Sequence, residues 1–171
     1  SEINFVKKIE ISKEKTGKSF FPKTNFNKVE FNKVKLNDVI AYNIENARVL
    51  LNSNSIYIRK TQTLFYEKWN EDVDDEISDY SSKFIIRHNL SRVRFKHKLS
   101  NKKIDNGIFL GCTFSFNYYH FLLELVSRVA YLESIPNSKL IPIILSNEFL
   151  KFESFKKLIH VFFKDYTILY L

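Results

Sequence analysis

Apolar and polar positions change their period near residue 107. Before it the pattern is that of strands. Ala47–Arg48–Val49–Leu50–Leu51 and Ser55–Ile56–Tyr57–Ile58–Arg59 flank Asn52–Ser53–Asn54, a plausible hairpin turn, and Thr61–Gln62–Thr63–Leu64–Phe65–Tyr66 continues the meander. Lys83–His97 mixes apolar and basic residues and has room for one or two short strands. Residues 1–35 are polar, rich in Lys and Asn, and punctuated by Phe20–Phe21–Pro22, which predicts an irregular or short-stranded lead-in. Residues 67–82 are acidic and predict a surface loop.

From Gly107 onward the spacing sharpens. Ile108–Cys112 reads as a short buried strand, residues 113–117 as a loop, and Tyr118–Ser134 as an amphipathic helix ended by Pro136 and Asn137. Leu140–Leu145 is a second apolar strand, with Pro142 marking its beginning or an edge. Ser146–Asn147 caps a second helix that runs to Phe163, and Thr167–Leu171 is a third strand. Strand–helix–strand–helix–strand with short connections predicts a parallel βαβαβ unit. The expected fold class is therefore α/β: a polar lead-in (1–35), a β-rich region (36–105) and a partial Rossmann-like unit (106–171).

The first helix carries the candidate chemistry. Leu122, Leu125, Val126 and Val129 recur at i, i+3, i+4 and i+7 and predict a face packed on the sheet. His120, Glu124, Ser127, Arg128 and Tyr131 fall opposite, and Asn117 stands at the N-cap position. That places a polar row at the carboxyl end of a parallel strand, where open α/β sheets bind ligands. Any surface helix also shows a polar face, and Glu124 with Arg128 is an ordinary i, i+4 pair. Spacing alone leaves the two readings level.

The run Gly111–Arg128, G-C-T-F-S-F-N-Y-Y-H-F-L-L-E-L-V-S-R, resembles the signature of glycosyltransferase family 61. That signature is an N-Y-Y-H-F/W-L-L-E run with a Pro-Arg-Leu-like end. Asn117, Tyr118, Tyr119, His120, Phe121, Leu122, Leu123, Glu124 and Arg128 match it, Ser127 replaces the usual Pro, and Asn46–Val49 resembles the family's N-terminal region more loosely. The resemblance implies a GT-B-type architecture of two Rossmann-like domains around a cleft. It also implies inverting transfer of a sugar from a nucleotide-activated donor to a hydroxyl of a bacterial surface glycan or lipid-linked glycan, in capsule or lipopolysaccharide assembly. Among the matching residues, His120 and Glu124 are the expected catalytic pair, and Asn117, Tyr118, Tyr119 and Arg128 the expected substrate-binding residues. The donor-binding domain would be C-terminal to Leu171, so this chain is expected to be the acceptor side, with little transfer activity alone. The beginning at Ser1 without Met, and the end on a strand, fit a fragment.

Displacement at an anomeric carbon needs a base beside the acceptor hydroxyl and positive charge beside the departing phosphates. His120 serves as the base and Glu124 as the carboxylate that fixes its tautomer. The reversed assignment, and a purely structural pair, stay open.

Composition adds few constraints. Lys and Arg total 27 against 19 Asp and Glu, a formal charge of +8, which suits a polyanionic partner, an anionic membrane surface or a phosphorylated substrate. The lysines are scattered, so a solvated surface explains most of them. The densest basic stretch is Arg92–Lys98. A nucleic-acid-binding module using it and a non-catalytic scaffold of a glycan-assembly complex are the rival functions, and nucleic acid is the less favoured partner. One cysteine, Cys112, precludes an intrachain disulfide and points to a reducing compartment. The expected location is the cytoplasm, with peripheral association at the inner face of the membrane left open. Asp72–Val73–Asp74 spells a D-x-D but lacks a preceding apolar strand and reads as solvated loop, while His88, His97 and His160 have no metal-like spacing with Cys112. No metal site and no cofactor are expected in this chain. Neither G-x-G-x-x-G nor a Walker sequence occurs.

Overall fold

The structure, a computed structural model, describes residues 6–21, 30–36, 38–66, 85–88, 92–96, 102–111 and 117–171. Cys112, His97, the D-x-D at 72–74 and the loop at 113–116 lie outside the described residues. The fold is mixed α and β, and the chain divides into two compact units, Ser1–Glu45 and Asn46–Leu171.

Of the two expectations for the lead-in, irregular or short-stranded, the first unit takes the stranded one. Strands β1 (Val6–Ser12) and β2 (Lys15–Phe21) run out, and β3 (Glu30–Leu36) and β4 (Val39–Ile44) run back. β2 pairs with β3 in constant antiparallel register from Lys15↔Leu36 to Phe21↔Glu30. β1 pairs with β4 from Ser12↔Val39 to Val6↔Ile44, slipping one residue between Glu10 and Ser12. Together they form one long two-stranded ribbon. None of its described side chains is buried.

The second unit opens with the expected meander of β5 (Ala47–Val49), β6 (Ile56–Ile58) and β7 (Thr63–Phe65). The basic region supplies a hairpin, β8 (Ile85–His88) with β9 (Val93–Phe95), packed on the meander through Phe95 and Tyr57, whose ring centroids are 4.8 Å apart. A parallel sheet follows in the order β10 (Ile108–Phe109), β11 (Ile143–Leu145), β12 (Ile168–Tyr170). Pro142 stands just before β11, where its missing N–H costs nothing and its carbonyl accepts from Ile108 at 2.9 Å.

The two connections are helical but not the uniform helices that the spacing predicts. The first begins as one α-turn, α1 (Tyr118–His120), widens to a π-helical stretch (Phe121–Leu125) and tightens to a 3₁₀-helix (Val126–Ser134). The wide turn shifts the faces. Phe121, Leu125, Val126 and Leu132 are buried, while Leu122 and Val129 sit at the margin and Arg128 is half-buried rather than on the solvent side. The second connection is a 3₁₀-helix (Asn147–Lys151), a break at Phe152 and then α2 (Glu153–Phe162). As expected, Ser146 caps it, its hydroxyl accepting from the Glu148 N–H at 3.3 Å. The core lies between these helices and the sheet, centred on Phe121, whose ring stacks on Phe155 at 4.2 Å and tilts against Phe149 at 5.2 Å.

Candidate functional site

β10 delivers the chain to the carboxyl edge of the sheet, and the first helix starts at Asn117. Its side-chain oxygen accepts from the Tyr119 N–H at 2.9 Å, satisfying one of the amides that a helix start leaves open. Tyr118 follows with its ring 6.0 Å from Phe155, half exposed, and Tyr119 is 64% exposed with its ring edge-on to His120 at 5.7 Å. His120 Nδ1 contacts Glu124 Oε1. Both side chains are about three-quarters buried, at 27% and 25% exposure, so the pair is recessed but reachable. The structure thus brings together Asn117, Tyr119, His120 and Glu124 on one helix start.

The π-turn carries this pair, and its hydrogen bonding explains Ser127. The Val126 N–H bonds the Phe121 carbonyl, five residues back, and the Ile135 N–H bonds the Leu132 carbonyl, three back. Passing from an offset of five to one of three leaves two carbonyls with no amide of their own. The Ser127 hydroxyl donates to the Leu123 carbonyl and, at 3.4 Å, shares its proton with that of Glu124. π-turns inside helices concentrate at functional sites.

Arg128 lies elsewhere in the arrangement. Its Nη1 donates to the carbonyls of Leu110 and, at 2.7 Å, Gly111, the residues that end the β10 approach. Gly111 takes a left-handed φ of +63° and is buried, and a Cβ there would meet Asn54 Oδ1 at 2.8 Å and Arg128 Nη1 at 3.3 Å. The hairpin loop after β5 therefore packs on the carboxyl edge of the parallel sheet. The loop is internally bonded: the buried Ser53 hydroxyl donates to the Leu50 carbonyl at 2.7 Å and accepts from the Ser55 N–H at 3.0 Å. Asn52 reaches out of it to Glu148, Nδ2 to Oε2, at 3.1 Å. Between loop and sheet is a cavity of about 20 Å³ lined by Asn52, Leu110, Gly111, Ser146 and apolar neighbours, room for about one water. His120 and Glu124 do not line it.

Sequence reading did not single out Glu148, and took Asn52 and Asn54 only as turn residues. An Asn-rich turn that keeps two buried serines was the available signal. Among the described residues no three His, Cys, Asp or Glu side chains converge as a metal-ligand set, and no helix is long and apolar enough to cross a membrane. Comparison with protein-family models, curated proteins and solved structures gave no match.

Proposed function

We propose that this chain is the acceptor side of an inverting glycosyltransferase of the family 61 type, built on a Rossmann-like half of a GT-B architecture. The observation that carries the reading is the recessed His120–Glu124 contact, held in a π-turn on the helix that leaves the carboxyl edge of a parallel sheet. The ring places Nδ1 against the carboxylate. A proton held there fixes the tautomer and puts the lone pair on Nε2. In this reading Nε2 takes the proton of an acceptor hydroxyl as its oxygen attacks the anomeric carbon. The bond from that carbon to the donor's phosphate oxygen breaks, and the nucleoside diphosphate leaves with the electron pair. Glu124 steadies the imidazolium formed, as the third member of a nucleophile–base–carboxylate relay does. Tyr119, exposed beside His120, offers a flat face for the acceptor sugar. Asn117 shapes the helix start, and Arg128 acts through the Leu110–Gly111 backbone rather than on substrate.

A nucleotide-sugar donor and a donor-binding domain complete this reaction, on a surface or lipid-linked glycan at the cytoplasmic side. The test is transfer by the full-length polypeptide that contains this chain, supplied with mixed nucleotide sugars and lipid-linked acceptor. His120→Ala is expected to lower kcat by about 10²–10⁴ and Glu124→Gln by less, since general-base catalysis contributes on that scale. Unchanged turnover in both variants, with transfer otherwise robust, refutes the assignment and leaves a scaffold.

A further inference from the structure

β9 carries a stripe that the glycosyl-transfer reading does not use. Arg94 within the strand, and Arg92 and Lys96 flanking it at either end, are exposed, while Val93 and Phe95 are partly buried, Phe95 against Tyr57. Alternate residues of a strand share a face, so the three cations line the outward face over about 13 Å. The backbone register sets Arg87 of β8 across from Arg94. Between Ile85 and Arg87 the ladder slips by one residue, and the extra residue, Ile86, is 52% exposed whereas Ile85 is buried. A bulge on this hairpin thus adds an aliphatic side chain to the basic face.

We propose that this face of the β8–β9 hairpin is a docking surface for an anionic phospholipid leaflet. Charge complementarity selects a polyanion, and the chain's formal charge of +8 supports approach to one. Ile86 selects between polyanions. An aliphatic group beside a row of cations gains by entering the headgroup–acyl boundary and gains nothing against a phosphodiester backbone. The aromatic rings that single-stranded nucleic acid stacks on are absent from the described part of this face, since Phe95 and Tyr57 pack on each other. The proposal is independent of His120 and Glu124.

Co-sedimentation of the whole chain with vesicles tests it. The wild type is expected to bind vesicles of phosphatidylcholine mixed with phosphatidylglycerol, with an affinity that falls as salt rises, and not phosphatidylcholine alone. Arg92→Gln/Arg94→Gln/Lys96→Gln should weaken binding by roughly a hundred-fold, from the attraction that each basic residue near an anionic surface contributes. Lys7→Gln/Lys8→Gln/Lys15→Gln removes the same charge from the ribbon and should change it by only a few-fold. Ile86→Ser should weaken it several-fold while leaving the salt slope unchanged. If the triple variant loses its circular dichroism spectrum, Arg94→Glu alone carries the comparison. Equal binding to uncharged vesicles, equal loss in both triple variants, or tighter binding to a mixed-sequence oligonucleotide that the stripe variant abolishes would each overturn the proposal, the last in favour of a nucleic-acid interface.

Discussion

Gly111 is the residue at which backbone and side-chain demands coincide. Its left-handed φ is costly for any residue with a Cβ, and that Cβ would lie 2.8 Å from Asn54 Oδ1. Gly111→Ala is expected to destabilise the chain by about 1–3 kcal/mol, read as a fall in denaturant midpoint at constant slope. Arg128 is the neighbouring test. Both bonds come from one nitrogen, Nη1, and a lysine ammonium also carries several N–H donors, so Arg128→Lys should recover much of the roughly 2–4 kcal/mol lost in Arg128→Met. Recovery of little of it would show that the reach and shape of the guanidinium are required. Asn117 was legible from sequence because capping is local: donor and acceptor are two residues apart. Arg128 was not, since its acceptors lie 18 and 17 residues upstream and are backbone oxygens, which leave no mark in side-chain pattern.

At the scale of elements, the first helix shows where periodicity misleads. Apolar spacing of the α type marked Leu122, Leu125, Val126 and Val129 correctly as apolar but ranked Leu122 and Val129 with the core and passed over Phe121, the residue at its centre with 0% exposure. The π-turn, wider than 3.6 residues, rotates Phe121 inward and returns the phase at Leu125. Nothing in residue type announces that turn, because the hydrogen bonds that stabilise it depend on Ser127 and on packing against Phe149 and Phe155. Two substitutions separate these causes. Phe121→Ala should cost about 3–5 kcal/mol through the cavity it opens among stacked rings. Ser127→Ala should cost no more than about 0.5–1 kcal/mol, measured by chemical denaturation, since the hydroxyl is exposed and water can take its place on the carbonyls. The last strand makes a pH prediction. Burial raises the Tyr170 hydroxyl above its usual range, so the neutral form is favoured in the folded chain. Stability from it is complete below pH about 10, where the unfolded tyrosine begins to ionise, and is lost as pH climbs through the raised value. Tyr170→Phe should flatten that alkaline limb of the unfolding curve, and an unaltered limb would assign it to other tyrosines or lysines.

For the molecule as a whole, the two units should differ in how they hold their backbone hydrogen bonds. The α/β unit encloses Phe121, Ile143, Leu145 and Phe163 almost completely, whereas the ribbon of β1–β4 has no buried side chain among those described. Burial also explains which half was legible: β11, central in its sheet, is buried at all three positions and reads as a continuous apolar run, whereas the described side chains of β1 and β4 are partly buried or exposed and mix Lys, Glu and Asn with Val and Ile. Cross-strand pairing without a core is marginal in water, so ribbon amides should open locally while those of Ile143–Leu145 open only with global unfolding. Hydrogen exchange at neutral pH should accordingly run at least about a thousand-fold slower in β11 than in β1 and β4, the gap expected between local and global opening. The Lys35–Glu14 pair, 2.9 Å apart but with both side chains more than half exposed, is too well solvated to close that gap. Equal protection would mean that the ribbon ladder is covered in solution, and the fast exchange predicted from its solvated faces would then be wrong.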